Sequence, residues 1–562
     1  MKTMHTTLFA AAIVLTAFAM QAKTTTARQN PLLKASTLPF HAPPFNKIRT
    51  ADYKPAIEAG MKQQLAEMKV IADQKAAPTF ANTIEAMEKS GALLTRASKI
   101  FFNLTQSNTN DTFQKIEAEE SPKLAAHNDA IFMNPKLYAR VKTLYDKRAS
   151  SGLDAESQYL IERYLKFFVR AGAQLNDADQ KTLRALNQEE STLTTKFREH
   201  VLADTAAAAI VVDTKEELAG LPDSDIAAAA DAAKERKLTG KYVLTLQNTT
   251  QQPALTYLQN RALRERLFNA SIQRGNHGGP NDTKAIVTRL AQLRAQKAKL
   301  LGYPTYAAFS LDDQMASTPE NAIKLLTGLV PASTAKAHAE VAKMQAIIDA
   351  EKGGFQLGPQ DWELYSEKVR KAEYDLDEAQ VRPYFELNNV LQNGVFYAAN
   401  QLYGLTFKER HDIPVYQPDV RVFEVFDADG KSLALYYGDY FSRPNKSGGA
   451  WMDSFVDQSG LMGTKPAVFN VTNFTKPAPG QPALLTFDNV TAIFHEFGHA
   501  LHGMLSNVKY PTLAGTNVPR DFVEFPSQFN EHWSLDPKVF ANYAKHYQTG
   551  EPMPAELVAN IK

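Results

Sequence analysis

Residues 489–505 read Asn-Val-Thr-Ala-Ile-Phe-His-Glu-Phe-Gly-His-Ala-Leu-His-Gly-Met-Leu. Val490, Ile493, Phe494, Phe497, Leu501 and Met504 recur at steps of three and four, which makes an amphipathic helix with one apolar stripe. His495, His499 and His502 fall on another face, at i, i+4 and i+7. A helix lying on a core, with a histidine row turned toward a cleft, fits this pattern. Within it, His495-Glu496-Phe497-Gly498-His499 is an HExxH sequence. Two imidazoles one turn apart can hold a single metal ion, and the carboxylate of Glu496 between them belongs beside an attacking water. That is the equipment for zinc-assisted hydrolysis of a peptide bond. Two histidines and a glutamate at this spacing arise by chance in roughly one chain of this length in a hundred, so the surroundings must carry weight. Gly498 costs the helix about 1 kcal/mol relative to alanine, which fits close approach by a second segment that the sequence does not identify.

A catalytic zinc takes three protein ligands and keeps one open position. His502 shares the face of the other two histidines. However, one helix rarely wraps three successive side chains around a tetrahedral ion, so His502 is better suited to facing substrate or supporting a ligand. The metzincin pattern is excluded, because it needs glycine at His502 and a third histidine at Leu505. The remaining candidates lie in Pro519-Arg520-Asp521-Phe522-Val523-Glu524-Phe525-Pro526-Ser527-Gln528. Asp521 reads as a helix N-cap or as a partner to a metal ligand. Glu524 stands 25 residues beyond His499, enough chain for a loop and a returning helix. Spacing alone favours Glu524 over Asp521 only mildly.

Upstream of the motif the period changes to two. Val420 to Phe426 and Ser432 to Tyr440 flank Asp427-Ala428-Asp429-Gly430, a β-hairpin with a turn containing Asp-Gly. Val468 to Phe474 reads as one further strand, able to pair with an extended peptide, and Ser447-Gly448-Gly449 as a loop that flexes over a channel. Further back the pattern is helical almost throughout. Tyr53 to Ala76, Phe80 to Phe102, Ser157 to Leu175, Asp177 to Val201, Ala262 to Gln273 and Thr283 to Leu301 all carry apolar residues at three and four spacing. Residues 241–248 alternate like a strand. The architecture is therefore mainly α, with a small β-sheet shortly before the HExxH helix. At 562 residues the chain exceeds what one core usually organises, so at least two lobes are expected. A helical region over 23–240 and a catalytic region over 241–562 divide it.

Composition narrows the function. Hydrophobic residues make up 44 % and charged residues 22 %, with a formal net charge of +1. Nothing here suggests a nucleic-acid groove or a polybasic membrane patch. There is no cysteine, so thiol nucleophiles, disulfides and thiolate ligands are excluded, and any zinc must sit on histidine and carboxylate. Lys2, the apolar run Leu8 to Ala19 and the cleavage pattern Ala17-Phe18-Ala19 make residues 1–22 a cleaved secretory signal. The expected location is secreted or periplasmic, with no stable membrane association once the signal is removed. Residues 23 to about 48, with Pro31, Pro39, Pro43 and Pro44, read as an extended leader on the surface.

The segments around the motif resemble a known family. His-Glu-Phe-Gly-His-Ala-Leu-His-Gly (495–503), followed by Arg-Asp-Phe-Val-Glu-Phe-Pro-Ser-Gln-Phe-Asn-Glu-His-Trp (520–533), is similar to the thimet-oligopeptidase family of zinc metallopeptidases. Asn445 to Met452 and Phe469 to Phe474 resemble its dipeptidyl carboxypeptidase branch. The resemblance implies one zinc per chain on His495, His499 and Glu524, with Glu496 as general base. It implies a two-lobed, largely helical molecule whose deep channel admits only short unstructured peptides, and a monomer. It implies release of C-terminal dipeptides, with internal cleavage by an oligopeptidase as the alternative. The family pattern also continues past the helical stretch that holds Ala559 to Lys562, into a segment with histidine and tyrosine that polarises the substrate and holds its C-terminus. The expectation is therefore a C-terminally truncated chain that binds zinc yet turns over weakly, or only binds peptides.

Overall fold

The sheet shortly before the metal-motif helix has five strands, and both of its faces are covered. In this computed structural model, residues 28–247, 252–374 and 378–561 are described. The expected signal segment lies outside them. The strands are β3 (Thr406–Glu409), β4 (Arg421–Phe426), β5 (Ser432–Phe441), β6 (Trp451–Val456) and β7 (Ala467–Phe474), in the order β3-β4-β5-β7-β6. A separate pair, β1 (Ile210–Val212) and β2 (Tyr242–Leu244), is antiparallel, so the alternation read at 241–248 holds over three residues. The expected hairpin is β4 and β5. Its turn closes through Asp427 and Lys431, and Gly430 adopts φ +78°, a conformation that glycine reaches without steric cost. β5 and β7 run parallel, and the other neighbours are antiparallel.

β5 reads as a nearly unbroken apolar run because neither of its faces meets water. Successive side chains point to opposite faces, so Tyr436 and Tyr437 enter two different cores. Tyr436 joins Phe423, Val468, Phe494, Phe497, Ala500 and Met504. Tyr437 joins Phe455, Phe469 and Val471, together with Tyr53, Ile57 and Phe101 from the N-terminal helices. The sheet is thus wedged between α1 (Thr50–Ala72), α2 (Ala92–Ser107) and α3 (Asp111–Phe132) on one side and α7 (Phe487–Met504) on the other. The remaining helices needed below are α4 (Asp177–Ala207), α5 (Asp223–Glu235), α6 (Pro319–Ala350) and α8 (Glu524–Glu531).

The mainly α reading holds, and several element boundaries move. The helix expected over Phe80 to Phe102 is broken. A π-turn at Phe80–Glu85 and a short helix at Ala86–Lys89 precede Gly91, whose φ of +71° stops the ladder before α2 begins. The Gly91 amide donates to Glu67 Oε2 at 2.7 Å instead. The proline-rich leader is also more ordered than its composition suggests. It forms 3₁₀ turns at Pro31–Leu33 and Pro39–His41, and Leu32 and Ala42 are buried against Tyr53 and Phe101. Proline at the first helical position and the Asn30 side chain, which accepts from the Leu32 amide, fix the first of these turns. Among the described residues no helix is long and apolar enough to cross a membrane.

α6 stands apart from this packing. Ile323, Leu325, Leu326, Leu329 and Val330 on it are each more than half exposed, as are Phe525 and Phe529 on α8.

Candidate metal centre

α7 starts where the sequence supplies a cap. The Thr486 hydroxyl accepts from the Asn489 amide at 3.1 Å, the Asn489 side chain accepts from the Thr486 amide, and Asp488 places a negative charge in the first turn. The apolar stripe is buried as expected: Val490, Ile493, Phe494, Phe497, Leu501 and Met504 all face the core shared with β4, β5 and β7. Phe497 is held edge-on by Tyr436 and tilted against Phe396 and Phe407. Burying a ring of this size stabilises the fold by about 1.5–3 kcal/mol, and it sets the rotation of the helix about its axis. That rotation turns His495 and His499 away from the sheet, with ring centroids 4.9 Å apart and planes at 85°.

α8 crosses directly over this face. Glu524 is its first residue, and its Oε2 lies 3.1 Å from His495 Nε2 and 3.1 Å from His499 Nε2. A tetrahedral zinc with bonds near 2.0–2.1 Å separates its ligand atoms by about 3.3 Å, so two imidazole nitrogens and this carboxylate fit that ion. Among the described residues this trio is the one group of histidine and acidic side chains close enough to share a metal. Gly498 explains the close crossing. A Cβ there would lie 2.7 Å from Ser527 Cα and 2.8 Å from Asn530 Cβ. Asn530 also donates to the Phe494 carbonyl at 2.6 Å, and Ser527 donates to Glu524 Oε2 at 3.0 Å, holding the carboxylate in place.

His495 Nδ1 lies 2.6 Å from Glu531 Oε1, which leaves Nε2 free to face the shared space. Sequence reasoning passed over Glu531. The available signal was its position seven residues after Glu524, two turns along the same helical face. Burial pulls the His499 pKa down despite the nearby Glu524 charge, which keeps the ring in the neutral form that a ligand needs. Glu496 is buried, and its Oε2 has no hydrogen-bond partner among the described residues. Burial first, and the Glu524 charge second, push its carboxyl up to about 8. Its backbone carbonyl accepts from Asn470 Nδ2 at 2.8 Å, which pins the helix to β7 at this residue.

The other candidates separate from the trio. His502 is half-buried and its Nδ1 is unpartnered, but it does not join the cluster. Asp521 neither caps α8 nor supports a ligand. It accepts from the backbone amides of Met315 and Ala316 at 2.9 and 2.8 Å, tying the segment before α8 to the segment before α6. β7 is not available to a peptide, because β5 and β6 occupy both its edges. The outer edge belongs to β6, which the sequence reading missed. Nor does Ser447-Gly448-Gly449 hang free over a channel. Asn473 Nδ2 donates to the Ser447 and Gly449 carbonyls, each at 2.8 Å, and the Ser447 amide donates to Gln106 on α2 at 2.7 Å.

Comparison with known proteins identifies the family. Peptidase family M3 matches residues 254–562. The dipeptidyl carboxypeptidase of Escherichia coli (strain K12) is 51 % identical over 533 residues, covering 95 % of this chain and 78 % of that protein. The dipeptidyl carboxypeptidase of Salmonella typhimurium (strain LT2) is 50 % identical with the same coverage. Oligopeptidase A of E. coli is 34 % identical over 538 residues, covering 94 % of this chain and 78 % of that protein. With a family match over more than half its length and relatives of this similarity along nearly all of it, the chain belongs to peptidase family M3 and is a metallopeptidase.

Proposed function

We propose that this metallopeptidase uses one zinc ion on His495, His499 and Glu524 to release dipeptides from the C-termini of short peptides, with Glu496 as general base. The observation that carries the reading is the convergence of the three ligand atoms beside the buried, unpartnered Glu496 Oε2. Zinc, when bound, supplies Lewis acidity that makes water a nucleophile near neutral pH and polarises the scissile carbonyl. The chain's own residues do the rest. His495 and His499 present Nε2, with Glu531 holding the first ring's tautomer through Nδ1. The positive charge of a bound zinc would bring the raised Glu496 carboxyl back down, so that Glu496 would accept a proton from the attacking water at Oε2 and later pass one to the leaving amine nitrogen. The edge of β6 that pairs with no strand among the described residues, adjoining the pinned 447–449 loop, offers an extended peptide backbone a place to add as a strand.

Release of dipeptides rests on the likeness to the two dipeptidyl carboxypeptidases, and internal cleavage on the weaker likeness to oligopeptidase A. Metal analysis of the purified chain should give one zinc per molecule. Mass spectrometry of digests separates the two modes. Dipeptides should come from peptides with a free C-terminus and not from the same peptides amidated. Internal fragments from both would overturn the dipeptidyl reading, and a metal-free, fully active chain would overturn the whole proposal.

A further inference from the structure

Two buried asparagines grip α7 at the metal motif itself. Asn470 Nδ2 donates from β7 to the Glu496 carbonyl at 2.8 Å, and Asn530 Nδ2 donates from α8 to the Phe494 carbonyl at 2.6 Å. Both side chains are buried, at 1 % and 6 % exposure. A helix turns about 100° per residue, so carbonyls two residues apart lie about 200° apart around its axis. The two donors therefore hold the turn that carries His495 and Glu496 from opposite sides. Each carbonyl has two lone pairs, one for the helix ladder and one for the asparagine. Stability alone does not call for this choice at position 470. Asn470 Oδ1 has no hydrogen-bond partner among the described residues, and an unfilled buried acceptor offsets much of what the donated bond contributes.

The strand that bears Asn470 ties this grip to the edge of the sheet. Val468 and Phe474 of β7 face the core shared with α7, and by alternation Asn470 faces it too. Asn470 is the register partner of Met452 on β6. α7 runs over both strands, since a Cβ on Gly503 would meet Met452 Cε at 2.5 Å and Val468 Cγ1 at 3.0 Å. Asn470 and the bare Gly503 thus fix the height and the slide of α7 over β7 and β6. A peptide added outside β6 lies two strand spacings from β7, about 9–10 Å. Because the Glu496 backbone is bonded to β7 at a set register, Asn470 sets the span between the general base and such a peptide. Asn530 plays the matching part on the other side, six residues after Glu524 on α8.

We infer that Asn470 and Asn530 are positioning residues for peptide hydrolysis: Asn470 places Glu496 against the peptide, and Asn530 places Glu524 against the two imidazoles. The inference rests on the peptidase reading above and deepens it. Both residues act through the backbone of α7. A misplacement of about 1 Å at the reacting groups costs about 10²-fold in rate, whereas a displaced ligand costs affinity for the ion. The two halves of the clamp therefore have separable effects.

The test uses the 562-residue chain and a short peptide with a free C-terminus. Asn470→Ala removes the donor, and Asn470→Asp keeps the shape while turning an acceptor toward the carbonyl. Each should lower kcat about 10–100-fold, with KM and zinc affinity in chelator competition within about twofold of wild type. Asn530→Ala should weaken zinc about tenfold and shift the visible absorption bands of the cobalt(II)-substituted chain, with KM unchanged at saturating metal. Phe168→Leu, in the core of the N-terminal helices, gives the loss of kcat that follows from lost stability alone, with melting temperatures read for every variant. Asn470 variants with wild-type kcat, or with a loss no greater than that of Phe168→Leu, would overturn the clamp. So would Asn530→Ala with wild-type zinc affinity and cobalt bands. Either result leaves the peptidase reading standing. A wild-type chain without zinc-dependent cleavage would sink that reading instead, and the cobalt bands of Asn530→Ala, which need no turnover, would still judge the clamp.

Discussion

At the scale of single residues, Glu496, Glu531 and Lys446 differ in what each side chain touches. Glu496 has no partner at Oε2 and no structural bond to lose there. Glu496→Gln should therefore leave zinc content and melting temperature nearly unchanged while lowering kcat about 10²–10⁴-fold, as read from steady-state kinetics beside metal analysis. Glu531 acts through His495 Nδ1. Glu531→Ala should weaken zinc about 10–100-fold in a chelator competition, with activity restored by excess metal. Lys446 belongs to stability. It is fully buried, with Nζ donating to Asp439 Oδ1 at 3.0 Å and to the Phe441 carbonyl at 2.8 Å. Burial pulls its pKa from the ordinary 10.5 down to about 8, only partly offset by Asp439. Between those values the unfolded chain holds more protons, so raising the pH favours the folded state at this residue. Wild type should gain stability relative to Lys446→Met as pH rises from about 8 to 10, measured by urea unfolding; a flat difference would contradict it.

At the scale of elements, the site exists because α8 crosses α7 at Gly498. A Cβ there would strike the Ser527 Cα and Asn530 Cβ, neither of which can swing aside. Gly498→Ala should cost about 1–3 kcal/mol in denaturant unfolding and should also reduce zinc affinity, since pushing α8 away moves Glu524. The helix and its stripe were legible in the sequence because they are local and periodic. Glu524 was legible mainly through the family pattern, since spacing alone left Asp521 in contention. Asp521 turned out to bind the Met315 and Ala316 amides, contacts across more than 200 residues that no local pattern encodes. β6 was missed for a related reason. Its six residues show no clean alternation of apolar and polar types, and it becomes a strand by pairing with β7.

At the scale of the whole molecule, the two faces of one sheet join the N-terminal helices to α7, the helix that carries His495 and His499. On the proposed reading, zinc would add a further link between α7 and α8 to the Asn530–Phe494 hydrogen bond, so chelation should lower the melting temperature. The shift should depend on free zinc in the manner of any ligand that binds only the folded state. An unchanged melting curve in chelator would mean that α7 and α8 are held without metal. Sequence alone determined a helix at about 489–505, the imidazole pair and the exclusion of thiolate chemistry, because these depend on residue type and short-range period. Only the tertiary structure decided that Gly498 receives α8, that Glu531 braces His495, and that β6 rather than β7 is the last strand of the sheet. Each of these is a contact between segments far apart in the chain, fixed by how two cores close on a shared sheet.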